Sequence, residues 1–300
     1  MSSSMPVLPP VAQHAPGIED LLRPEFWLQF APHLHVSAPN YHLAALPTLS
    51  AESGEAIRAL VKNEGYFQGT MDPWNVSLST LTDTISRLHS VGLLPVFAFM
   101  YDEMWMLAQQ LHPVISSLLG PQYAMLPDFW AWHVDPRKAE SGWRPHRDKG
   151  YKALAADGSP TSVTAWIPLT HATTLNGCMY IVPADRDPTY GTPQDRDWKF
   201  DYSDIRALPA QAGQFFVWNQ AVLHWGSHAS PRAGDLVRMS CAFEFQRTDM
   251  PAWNQPLLPP GGRLSFEQRL QLIGKQVKQY QHMYPLPSHL ASLADRMLLK

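Results

Sequence analysis

In the segment GWRPHRDKGY of this 300-residue chain, a histidine and an aspartate stand one residue apart. Residues i and i+2 of an extended segment point to the same side. His146 and Asp148 would therefore offer an imidazole and a carboxylate to one metal ion. A second imidazole from a distant segment would complete the two-histidine, one-carboxylate donor set of non-haem Fe(II) oxygenases, which leaves positions open for a bidentate co-substrate and O2.

The pair alone is a weak signal, because the chain holds 13 histidines and His133 and Asp135 have the same spacing. Context favours the later pair. Asp135 precedes Pro136 and a charged, Gly-containing stretch that reads as a strand end, whereas His146 follows Pro145 and lies nearer the next strand. For the third ligand, AGQFFVWNQAVLHWGSHAS offers His224 and His228. His224 follows the apolar pair Val222-Leu223, as an inward strand side chain would; His228 lies in a polar loop, where a solvated histidine is the ordinary outcome. Arg238 sits in the apolar run VRMSCAFEF, where a guanidinium is costly unless paired. A dicarboxylate could pair with it bidentately, helped by Ser240 on the same side; Glu244 is the protein carboxylate that could do so instead.

The elements that must position these residues change character along the chain. Residues 1–17, rich in Ser, Pro and Ala, are expected to be disordered. Residues 18–121 read as helical: Leu78, Leu81, Ile85 and Leu88 mark one helix face before Gly92, and Met104, Leu107, Leu111, Ile115 and Leu118 mark another that Pro113 should kink. From 122 to 250 the apolar segments are short, with strands expected at 129–134, 162–168, 178–182, 214–218 and 237–245. Such spacing suggests an antiparallel sandwich or barrel. Asn176-Gly177 suits a tight hairpin. In the tail, 251–300, Ser265 and Gln268 form a capping box ahead of a helix carrying Phe266, Leu270, Ile273, Val277 and Tyr280, and a short helix is expected at 288–299.

Composition narrows the function classes. The net charge of −3 and the absence of a basic stripe argue against nucleic acid binding. No apolar run is long enough to span a bilayer, and the first residues do not read as a secretory signal, so a cytoplasmic location is expected. Two cysteines, Cys178 and Cys241, are too few for a disulfide framework or a zinc site and read as buried thiols.

The order PHRDKG, TAWIPLTHATTLNGCMYIVPADRDP, AGQFFVW, VLHWGSHAS and VRMS resembles the phytanoyl-CoA dioxygenase family over roughly residues 128–247. The resemblance implies a mainly β fold with flanking helices around a double-stranded β-helix (jelly-roll, cupin-like) core. It implies Fe(II) as cofactor and 2-oxoglutarate and O2 as co-substrates, with release of succinate and CO2. By position, His146, Asp148 and His224 correspond to the iron ligands, Arg238 to the residue that grips 2-oxoglutarate with Ser240 as helper, and Thr164 and Trp166 to the lining of the co-substrate pocket. The chain departs from the family pattern in having Trp225 directly after the distal histidine and 14 residues between His224 and Arg238, which keeps His228 in play. Asp148, where related halogenases carry Ala or Gly, implies hydroxylation of a small organic substrate. Trp132, His133 and Trp143 are candidate pocket walls, as is Trp130, while Arg147, with Arg144 and Lys149, could attract an anionic substrate. The alternatives are a cupin-type metalloenzyme that does not use 2-oxoglutarate and a non-catalytic jelly-roll binding protein. A monomer or small homo-oligomer is expected.

Overall fold

A computed structural model describes residues 16–41, 43, 46, 48–283 and 286–300. Apart from its last two residues, the N-terminal segment expected to be disordered lies outside the described residues. Eight strands are described: β1 (Tyr66–Thr70), β2 (Tyr123–Val134), β3 (Ser162–Pro168), β4 (Met179–Val182), β5 (Arg206–Leu208), β6 (Gln214–Asn219), β7 (Leu223–Gly226) and β8 (Arg238–Arg247). The helices are α1 (Ile18–Leu21), α2 (Pro24–Phe30), α3 (Ala51–Asn63), α4 (Leu78–Ser90), α5 (Asp102–Gln110), α6 (His112–Leu119), α7 (Phe266–Gln279) and α8 (Ser288–Met297).

The strands form two antiparallel sheets, one in the order β1-β6-β3-β8-β2 and one in the order β5-β4-β7. Strand alternation sorts the larger sheet into two faces. Val163, Ala165 and Ile167 of β3, with Phe215, Val217, Cys241 and Phe243, pack against helical residues such as Leu81, Ile85, Leu107 and Ile273. On the other face, Trp166, Phe216, Trp218 and Ala242 pack with Met179, Ile181 and Leu208 of the smaller sheet. Both cysteines are free and buried. No described helix is long and apolar enough to cross a membrane.

Three local features differ from expectation. β1 is a strand within a region read as helical; it is a short edge strand paired with β6, and Gly69 leaves the space that the Phe215 ring fills, since a Cβ there would stand 2.4 Å from Phe215 Cζ. β2 begins six residues before the expected 129, with an irregularity between Met125 and Phe129. Pro127 falls inside that irregularity and cannot donate to a ladder, which made the sequence read as a break. Asn176-Gly177 makes no hairpin, because β3 and β4 lie in different sheets. Instead the Asn176 side chain ties the crossover together, accepting from Thr173 N and donating to His171 O and Leu236 O. As expected, Pro113 separates α5 from α6, and Ser265 with Gln268 caps α7.

α7 is moored by polar side chains. Buried Arg269 donates to Met100 O (2.9 Å) and pairs with buried Asp102, whose other oxygen accepts from Ala38 N (2.9 Å). Gln276 donates to Pro127 O and accepts from Phe129 N (3.2 Å), which docks the helix on the irregular part of β2. Removing one partner of a buried ion pair strands the other charge. We expect Asp102→Ala to lower unfolding free energy by about 3–5 kcal/mol in denaturant titrations, with Asp102→Leu/Arg269→Met recovering part of the loss.

Candidate active site

His146 and Asp148 lie on an irregular segment, not on a regular strand. The segment becomes strand-like only where it meets β7: His146 N donates to His224 O and His224 N donates to His146 O, both at 3.0 Å. This reciprocal pair sets the two imidazoles side by side, with ring centroids 4.4 Å apart. Asp148 then reaches both, its Oδ1 lying 3.3 Å from His146 Nε2 and 3.6 Å from His224 Nε2. One donor atom from each of the three residues falls within 4.8 Å of the others, an arrangement that could hold a metal ion.

Each donor is oriented from behind. His146 Nδ1 is 2.6 Å from Arg144 O and His224 Nδ1 is 3.1 Å from Val222 O, so each ring donates Nδ1–H to a carbonyl and turns Nε2 to the centre. Asp148 Oδ2 accepts from Thr164 Oγ1 (2.6 Å) and Trp218 Nε1 (3.1 Å), leaving Oδ1 to the imidazoles. Burial works against ionising Asp148, but the adjoining His224 and His146 and the Thr164 hydroxyl hold its carboxyl far below the usual range. Burial lowers His224 to about 4 against the pull of Asp148. At His146 burial also opposes the charge, yet its bond to Asp148 prevails and the ring titrates above its ordinary value.

The three donors line one cavity. Arg238, 1% exposed, lines it too; its Nη1 donates to Ser240 Oγ (2.6 Å) and its guanidinium stands 5.8 Å from the Trp166 ring centroid. Gly142 and Gly226 pass close beside it, and a Cβ on Gly142 would stand 2.9 Å from Gly226 Cα and 3.1 Å from Arg238 Nη2. Thr164, Trp166, Trp132 and Trp143 also line the cavity. Ser240 does not; it positions Arg238 and does not itself reach the cavity.

Other candidates are placed elsewhere. His133 lies outside the cavity lining, stacked on His89 at 4.0 Å, and Asp135 caps and pairs with Arg137. His228 is exposed, facing Ser141. Arg147 is a correction: its guanidinium is buried, donating to Asp187 Oδ2 (2.6 Å), Ala221 O (2.7 Å) and Asp195 O (2.8 Å), so it braces the loops and does not line the cavity of the three donors. Lys149 pairs with Glu244 at 2.9 Å, so Glu244 is not the partner of Arg238. Sequence reasoning missed Asp128, Trp218 and Tyr280 as cavity residues. For Trp218 a signal existed, since it alternates in step with Phe216 on β6 and stands opposite Thr164.

The phytanoyl-CoA dioxygenase (PhyH) family profile matches residues 85–233. Those residues carry a phytanoyl-CoA dioxygenase domain. The chain is an Fe(II)- and 2-oxoglutarate-dependent oxygenase. No curated protein matches its sequence. Among solved structures, its fold is similar to that of the epimerase SnoN from nogalamycin biosynthesis, at 17% identity and a TM-score of 0.51, covering 72% of this chain and 97% of that one. It is also similar to HygX from Streptomyces hygroscopicus, at 14% identity and a TM-score of 0.50, covering 69% and 91%.

A metal displaces protons from its ligands. His224, lowered to about 4, offers no competing proton near neutrality, whereas His146, raised above its ordinary value, does. Ni(II) affinity measured by calorimetry should therefore fall as pH drops below neutral, by up to about tenfold per pH unit for one competing proton.

Proposed function

We propose that His146, Asp148 and His224 hold Fe(II), that Arg238 grips the far carboxylate of 2-oxoglutarate, and that the enzyme hydroxylates a C–H bond of a small organic substrate. The observation that carries this is the placement of three convergent donor atoms and a buried guanidinium in the wall of one cavity. The chain alternates between the two sheets, with β3, β6 and β8 in one and β4 and β7 in the other, which fits a double-stranded β-helix core.

The residues present fit both groups. Two neutral imidazoles and one carboxylate suit Fe(II). Trp132 Nε1 is buried without an acceptor among the described residues, in a cavity that would take a carboxylate. Gly142 and Gly226 keep the space beside Arg238 clear of side chains. HygX has been solved with nickel and 2-oxoglutarate bound, which supports the same occupancy here.

When bound, iron and 2-oxoglutarate supply the oxidising chemistry: O2 is divided between succinate, formed with CO2, and the new substrate hydroxyl. The chain itself holds the site rigid. Thr164 and Trp218 keep Asp148 ionised and aimed. Arg238 fixes the direction of 2-oxoglutarate, and the indole walls exclude water from the reacting centre.

Anaerobic addition of Fe(II) and 2-oxoglutarate should give the visible charge-transfer band of the chelate. Asp148→Ala should abolish it and Asp135→Ala should leave it intact. Arg238→Met should raise the 2-oxoglutarate concentration at half-maximal band by roughly a hundredfold, the equivalent of about 2–3 kcal/mol for a lost charge-assisted contact. Absence of the band in the unaltered protein at saturating Fe(II) and 2-oxoglutarate would rule the assignment out.

A further inference from the structure

The end of the cavity formed by β2 and α7 is acidic and aromatic. Asp128 follows Pro127 in the irregular part of β2, where the ladder breaks and the side chain is redirected into the cavity. It is 2% exposed. Its carboxylate accepts from two neutral amides, Asn254 Nδ2 (3.0 and 2.9 Å) and Gln279 Nε2 (2.5 Å), and makes no ion pair among the described residues. Of the nearby cations, Lys275 donates to the neutral oxygens Asn254 Oδ1 (2.6 Å) and Gln255 O and acts on Asp128 at longer range, while Lys149 pairs with Glu244.

Three rings pack together around the same space. Tyr280 lies 4.5 Å from Trp143 and 5.3 Å from Trp130 between ring centroids, and all three line the cavity with Asp128. The charged residues that line this space are the carboxylates Asp128, Asp148 and Glu244 and the cation Arg238, with Lys149 paired to Glu244 behind it. A cation satisfies both features at once, since it is drawn to the faces of indole and phenol rings and to a buried carboxylate.

We propose that the substrate carries an ammonium group, seated between the Asp128 carboxylate and the Trp130, Trp143 and Tyr280 rings, and that this contact selects the C–H bond presented to the metal. The proposal rests on the oxygenase reading and names the substrate class for it. It replaces the anionic substrate that Arg147 and Lys149 suggested, because both of those cations are engaged with protein carboxylates.

The test uses the full chain loaded with Ni(II) and 2-oxoglutarate and three probes of similar shape: 2-phenylethylammonium, 2-phenylethanol and phenylacetate. Calorimetry and tryptophan quenching should show the amine binding at least about tenfold tighter than the alcohol and the acid weakest, as a desolvated cation contact predicts. Asp128→Asn should erase the preference for the amine while keeping the affinity for the alcohol. If that variant does not fold, the ranking of the three probes on the unaltered protein decides. Equal or weaker binding of the amine than of the alcohol, no measurable amine binding, or a preference that survives Asp128→Asn would overturn the proposal. The Fe(II)–2-oxoglutarate band on the same preparations separates the failures: its absence defeats the oxygenase reading, and its presence without amine preference defeats only the substrate class.

Discussion

Two backbone hydrogen bonds between His146 and His224 are the contact on which the rest of the site depends. They join an irregular segment to a four-residue strand, and Gly226 N to Trp143 O on one side and Lys149 N to Gln220 O on the other extend the same pairing. Without them the imidazoles would not stand side by side, and Asp148 would have no common point to face. Everything behind this contact works to keep it in place: the carbonyls that orient each ring, the Thr164 hydroxyl and Trp218 indole that hold Asp148, and the buried Arg147 that ties the same segment to Asp187, Asp195 and Ala221.

The surrounding polarity follows from burying so many charges near one point. Glu244 is pushed up to about 7, first by burial and then by the nearby Asp148 and Asp128, with Lys149 pulling the other way. Tyr280 is likewise pushed well above its usual range by burial, with Glu244, Asp128 and Asp148 adding to the effect. The site therefore gathers carboxylates at one end and holds the buried Arg238 beside paired glycines at another. That division gives the cavity two chemically different ends, one suited to a carboxylate and one to a cation.

Much of the local structure was legible. β3 ran as one apolar segment bounded by turns and lies where the strand at 162–168 was expected. Ser265 and Gln268 announced α7, and Pro113 announced the break between α5 and α6. β1 was not legible, because a five-residue edge strand that owes its pairing to β6 has little periodicity of its own. Asp128 was hidden by Pro127, which reads as a strand end unless the sheet tolerates an irregularity there. Arg147 looked like a ligand for anions because its carboxylate partner, Asp187, lies 40 residues away in sequence.

The chain's sequence determined by itself that imidazoles, carboxylates and a guanidinium would be available on extended apolar segments, since residue type and alternation are local properties. Which His-x-Asp pair would meet a second imidazole, whether a cation would face a cavity or a carboxylate, and where the aromatic rings would gather were decided only by the tertiary structure. These depend on contacts between segments far apart in the chain, and such contacts are fixed by the packing of one sheet on another and leave no periodic trace in either segment alone.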